Sequence, residues 1–215
     1  MTEIQPELFS QTTPEAVYLV FDTETTGLPR SWQAPVTALD NWPRLVQLAY
    51  MAYDRCGVLV NSVNHIIKPR GYTIPADSAR IHGITTERAL QEGKELVEVL
   101  REFKIYLDQA RYLVAHNMSF DEKIVGAELL RSSMADIPSS KQKICTMHTT
   151  TEYCAIPGPR GYKWPKLSEL HRKLFMADFA EAHNAAADVA ATAKCFWELQ
   201  RLGVIKLPGQ SAAGA

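Results

Sequence analysis

Residues 17–23 read Val-Tyr-Leu-Val-Phe-Asp-Thr, an apolar run with β-branched and aromatic members that turns polar at its end. A run apolar on both alternating faces fits a strand buried between two layers, as in the sheet of an α/β chain. Side chains two apart on a strand share a face, so Asp22 and Glu24 converge on one point where the strand stops. Two carboxylates so placed repel each other and resist leaving water unless a cation neutralises them. A hard divalent ion takes such oxygen ligands.

The rest of the chain supplies partners for that strand. Runs 45–54 and 58–69 flank Arg55-Cys56-Gly57 and read as a β-hairpin. Between strand and hairpin, residues 29–43 hold three prolines and both Trp32 and Trp42, which predicts a long ordered loop that covers something. After Pro75 the period becomes helical: a short helix over Ala76–Ile81, then a long one from Thr85 or Thr86 to about Ala110, with Leu90, Leu96, Val97, Leu100, Phe103, Ile105 and Leu107 as its apolar stripe. A strand at 111–115, a helix at 119–130, a strand at 142–148, a loop at 157–165 and helices at 166–175 and 184–202 complete the order. The expectation is a mixed sheet with helices on both faces, in one domain over 17–206 between an N-terminal segment 1–16 and a disordered tail 207–215.

Composition narrows the partners. A net charge of −1 across 215 residues is not the basic footprint of a protein that grips long DNA by counterion release, so any nucleic acid is held locally. No apolar run approaches the roughly 20 residues that cross a bilayer, and the N-terminus lacks the pattern of a secretory leader, which predicts a cytoplasmic location with no membrane partner. Cys56, Cys145, Cys154 and Cys195 form no C-x-x-C pair, so they read as reduced structural thiols.

Two further acidic positions carry weight. Asp121 closes His-Asn-Met-Ser-Phe-Asp (116–121) in the first turn of a helix, where a carboxylate also serves as a cap. Asp188 closes His-Asn-Ala-Ala-Ala-Asp (183–188); the alanines let the last helix approach another element closely, and His183 with Asp188 can reach one pocket.

In order and separation, D-x-E-T-T-G-L (22–28), H-N-x-x-F-D (116–121) and H-N-A-x-x-D (183–188) resemble the three motifs of the DEDDh 3′–5′ exonucleases, typified by the proofreading epsilon subunit of bacterial replicative polymerase. Ile81-His82-Gly83-Ile84-Thr85 is similar to a family segment between the first two motifs. The resemblance implies a ribonuclease H-like α/β fold with a five-stranded mixed sheet flanked by helices. It implies two divalent cations, Mg²⁺ or Mn²⁺, on Asp22, Glu24, Asp121 and Asp188, with His183 as the base. It also implies Thr25 on the terminal 3′-hydroxyl, Leu28 as a wedge against the last base, and His82 and Phe120 on the terminal nucleotide. The expected partner is a nucleic acid 3′ end, single-stranded DNA foremost, with a DNA polymerase as a possible further one. RNA as substrate and a catalytically silent binding or polymerase-docking module stand as alternatives. The 29–43 segment is longer than its counterpart in the epsilon subunit, and Trp32 or Trp42 is a candidate substrate wall. Arg160, Lys163 and Lys166 read as a solvated face that could touch phosphates.

Overall fold

A computed structural model describes residues 15–179 and 184–207. Five strands form the main sheet: β1 (Tyr18–Thr25), β2 (Leu45–Tyr53), β3 (Leu59–Ile66), β4 (Tyr112–Ala115) and β5 (Gln142–Cys145), in spatial order β3-β2-β1-β4-β5. β2 runs antiparallel to both β1 and β3, while β4 is parallel to β1 and to β5. The mixed five-stranded sheet expected from the sequence is therefore present. Helices α1 (Ala76–His82), α2 (Thr86–Glu92) and α3 (Leu96–Gln109) lie between β3 and β4, and α4 (Met118–Arg131) lies between β4 and β5. After β5 come α5 (Thr146–Thr149), α6 (Thr151–Cys154), a small hairpin of β6 (Pro157–Gly158) and β7 (Gly161–Tyr162), α7 (Leu167–Phe175) and α8 (Ala185–Arg201).

β1 separates two cores by simple alternation. Leu19 and Phe21 pack with Val99, Phe103 and Leu107 of α3 and Ile124 and Val125 of α4. Tyr18 and Val20 pack with Leu170 of α7 and Val189, Ala193, Phe196 and Leu199 of α8. Apolar burial on both faces accounts for the unbroken apolar run, and each fully buried Leu, Val or Phe contributes about 1.5–3 kcal/mol relative to exposure.

Several expected elements differ. The long helix from Thr85 to Ala110 is two helices, because Gly93 ends α2: a Cβ there would lie 2.6 Å from the Lys68 backbone nitrogen. Lys94 instead bridges in parallel to Ile67, donating to the Ile66 carbonyl at 2.9 Å and accepting from the Lys68 N–H at 2.8 Å. Leu90, Val97 and Ile105 of the expected stripe face solvent. The expected strand 142–148 stops at Cys145, where the chain turns into α5. The expected loop 157–165 contains the β6–β7 pairing, and Cys56, read as structural, is exposed in the turn between β2 and β3. Residues 1–14 and 208–215 lie outside the described residues, while Leu207 is buried against the α8 core.

The 29–43 segment is fastened to α4. Arg131 donates to the carbonyls of Leu39 and Trp42 at 2.5 and 2.7 Å. Glu128, fully buried, accepts from Arg44 Nε at 2.8 Å and from the Leu45 N–H at 3.0 Å. Gly126 gives the segment room, since a Cβ there would fall 2.9 Å from Val36 Cγ2. Glycine weakens a helix interior, and this close approach is what it permits.

Candidate active site

The same alternation that divides the cores distributes the carboxylates. Asp22 and Glu24 follow Tyr18 and Val20 onto the α8 face, and Thr23 follows Leu19 and Phe21 onto the α4 face. β4 pairs with β1 only along Tyr18–Val20. Past that point β1 has β2 alone as its neighbour, with Asp22 opposite Ala49 and Glu24 opposite Gln47. The end of β1 thus stands beside a gap at the carboxyl ends of the parallel strands, where α/β sheets bind ligands.

Asp188, in the first turn of α8, meets Asp22 and Glu24 there: one carboxylate oxygen from each lies within 4.8 Å of the others. Local chemistry sets α8 at this height. Asn184 caps it, its side chain accepting from the Ala186 N–H at 3.0 Å. Ala185, fully buried, donates its N–H to Gln47 Oε1 at 3.3 Å. Gln47 is buried too, and its Nε2 donates to Asn64 on β3 at 2.8 Å. Gln47 escaped the sequence reading, although a lone amide inside an apolar strand is a signal of a polar contact.

Asp121 arrives from the other face. After β4, Asn117 takes a left-handed conformation at φ 80°, which asparagine tolerates better than most residues, and the chain turns directly into α4. Asp121 is buried, and its Oδ1 accepts from the Thr23 N–H at 3.1 Å and from the Thr23 hydroxyl at 2.7 Å. It is therefore fixed to the strand between the two other carboxylates, and it stands outside the tight group of three. The sequence brought out Asp121 but not Thr23 as its holder.

Burial of so many acids at one place raises their proton affinity. Asp22 is pushed well above the usual carboxylate range by loss of water, then by the charges of Asp121, Asp188 and Glu24. Glu24 is pushed up to about 8 by burial, then by Asp188 and Asp121. Asp121 is pushed up to about 7 by burial, against the lowering effect of its hydrogen bonds from Thr23. An all-carboxylate donor set in this condition fits a hard divalent cation, which would replace the protons.

The remaining expected residues have mixed placements. His183 lies outside the described residues. Thr25 is buried, its hydroxyl donating to the Gly27 carbonyl at 2.7 Å. Leu28 projects into solvent, 73% exposed. His82 is only 8% exposed; its Nδ1 accepts from the Ile84 N–H at 3.2 Å, its buried Nε2 has no full hydrogen bond, and burial lowers its pKa. Ile81, beside it, is exposed. Trp42 is core, donating Nε1–H to the Pro35 carbonyl at 3.0 Å, so its candidacy as a substrate wall ends. Trp32 is 55% exposed, with its ring 5.7 Å from that of Phe120. Lys163 is paired with Glu169 at 2.6 Å. His116, of the second motif, is half-buried between Thr146 Oγ1 and the Pro165 carbonyl, at 2.9 and 3.0 Å, and its pKa falls to about 4 through desolvation. It is a neutral strut that ties the end of β4 to α5 and to the loop before α7.

Comparison with known proteins bears on the family and the fold. A protein-family model described as "Exonuclease" matches residues 19–196. A DNA polymerase III of PolC type from Streptococcus pyogenes is 33% identical over 180 residues, which is 84% of this chain and 11% of that protein. E. coli exonuclease I, crystallised with a dA16 oligonucleotide, superimposes with a TM-score of 0.66 at 19% identity, over 86% of this chain and 41% of that one. Exonuclease I from Methylocaldum szegediense gives 0.64 at 20% identity, over 86% and 40%. The solved structures share the fold, a ribonuclease H-like one, and this chain spans about a tenth of the polymerase relatives and two fifths of the exonuclease I chains.

Proposed function

Since this chain belongs to the exonuclease family, we propose that it removes nucleotides from the 3′ end of DNA, hydrolysing the terminal phosphodiester bond and releasing nucleoside monophosphates. The observation that carries this reading is the convergence of Asp22, Glu24 and Asp188 within 4.8 Å, with Asp121 held one residue away on Thr23. Those four carboxylates would hold two divalent cations, Mg²⁺ or Mn²⁺. When bound, such ions lower the pKa of water and neutralise charge on the phosphate and the leaving oxygen.

The chain's own groups do the rest. His183 takes the proton of the attacking water, a base role that an imidazole side chain can fill near neutral pH. Thr25 has already committed its hydroxyl proton to Gly27, so towards a 3′-hydroxyl it acts as an acceptor. His82 accepts at Nδ1, which leaves a neutral ring with its proton on Nε2, beside Thr25. Leu28 supplies an exposed apolar wedge and Phe120 a ring face, contacts that tolerate any base. The net charge of −1 suits an enzyme that clasps only an end.

DNA is favoured by the names of the relatives, one a DNA polymerase III and another an exonuclease bound to a DNA oligonucleotide. A polymerase partner and a cytoplasmic location belong to the same reading; among the described residues no helix is long and apolar enough to cross a membrane. The test is digestion of single- and double-stranded DNA and RNA labelled at either end, with and without Mg²⁺ or Mn²⁺. Shortening of DNA from the 3′ end only with metal is expected. Strong preference for RNA would replace the substrate, and no cleavage of any strand would revive the silent module.

Thr23 offers a finer check. Thr23→Val keeps the shape and the backbone N–H but removes the hydroxyl from Asp121. Loss of a group that orients a ligand typically costs about 10- to 100-fold in metal affinity or activity. A metal titration of the rate should show it, and an unchanged titration would mean that Thr23 does not hold Asp121 in its working position.

A further inference from the structure

The 29–43 segment contains two tryptophans with different employment. Trp42 is buried and hydrogen-bonded to Pro35, so it anchors the segment. Trp32 has no such duty: more than half of it faces solvent. The backbone just before it is nevertheless held. Ser31 donates its N–H to Asn41 Oδ1 at 2.7 Å and accepts from Asn41 Nδ2 at 2.9 Å, while the Arg30 N–H donates to the Asn41 carbonyl at 3.2 Å. The indole is thus carried on a fixed base, and its ring leans on Phe120 at 5.7 Å and 48°. Phe120 is the residue before Asp121, in the first turn of α4. A large exposed aromatic held rigid beside a catalytic carboxylate has little ordering entropy left to lose when a flat ligand covers it.

We propose that Trp32, backed by Phe120, is a stacking platform for an unpaired nucleobase upstream of the terminal nucleotide, so that the site selects single-stranded ends. This rests on the exonuclease reading for the substrate class and extends it by one base. A base within a duplex is already stacked and paired, and it would have to leave its partner to reach the indole. Stacking on an aromatic side chain is sequence-tolerant and needs no basic surface.

The test measures binding of thymidine oligonucleotides one to six residues long, with Ca²⁺ in place of Mg²⁺, to the full chain and to Trp32→Ala and Trp32→Phe. Stacking of one base corresponds to roughly 5- to 150-fold in affinity. The expected result is a loss of that size in Trp32→Ala for the longer oligonucleotides, removing the gain that the full chain shows on lengthening, with most of it kept in Trp32→Phe. In addition, oligonucleotide should quench the tryptophan fluorescence of the full chain more than that of Trp32→Phe, a reading independent of how Trp32→Ala folds. An equal loss at every length, no loss, or equal quenching in the two proteins would overturn the platform. A full chain that binds in this length-dependent way with Ca²⁺ but cuts no strand with Mg²⁺ or Mn²⁺ would overturn the catalytic reading alone.

Discussion

Replacing Asp22 by Asn should lower nuclease activity by roughly three to five orders of magnitude, the several kcal/mol that charge neutralisation by metal ions supplies, and yet stabilise the protein in chelator. Both results come from one placement. Asp22 is the central acid: Asp121, Asp188 and Glu24 all act on it, and burial has stripped it of water. Without a cation its charge is a liability, and an amide of the same shape removes that charge. Relief of about 1–3 kcal/mol in a chain of this length raises Tm by about 2–12 °C. Activity assays with Mg²⁺ and thermal unfolding in EDTA, on the same preparations, check the pair. Retained activity would point to a contaminating nuclease, and a lower Tm in EDTA would mean that Asp22 has a structural partner worth more than the repulsion.

The second large effect is on stability against pH and metal. Glu24 is raised to about 8 and Asp121 to about 7 in the folded chain, whereas unfolded carboxyls titrate near 4. A group raised by folding binds its proton more tightly in the native state. Its stabilising contribution is complete below the unfolded pKa and is lost as pH rises through the folded one. The cation-free protein should therefore lose stability from about pH 4 to pH 8. Addition of Mg²⁺ or Mn²⁺ at 100 times its Kd should restore about 2.7 kcal/mol, or roughly 5–10 °C in Tm, with the larger gain at the alkaline end where no proton competes. Thermal unfolding from pH 5 to 8.5, in EDTA and in metal, reads both. A cation-free protein whose stability rises across that range would contradict the assignment of buried, mutually repelling carboxylates.

Much of this site was legible in the sequence because it follows from short periods. Alternation along β1 places Asp22 and Glu24 together without any knowledge of the rest of the chain, and the alanines before Asp188 announced a closely packed helix. What was not legible depends on elements distant in sequence. Thr23 reads as an ordinary strand residue until α4 arrives beneath it with Asp121, 98 positions later. Gln47 acquires its role only from Ala185, 138 positions on. The break at Gly93 required the backbone of Lys68 to pass close by, so helical periodicity ran past it. The two tryptophans of 29–43 differ by which of them α4 and its neighbours cover, a distinction that no local pattern carries.

The alternation of β1 has one more consequence. Asp188 rides on α8, packed on one side of the sheet, and Asp121 on α4, packed on the other. A metal shared among these acids would act as a rivet through the sheet, joining the two helical layers. Amide exchange at the first turns of α4 and α8 should then slow together when metal binds, making two separately opening units into one.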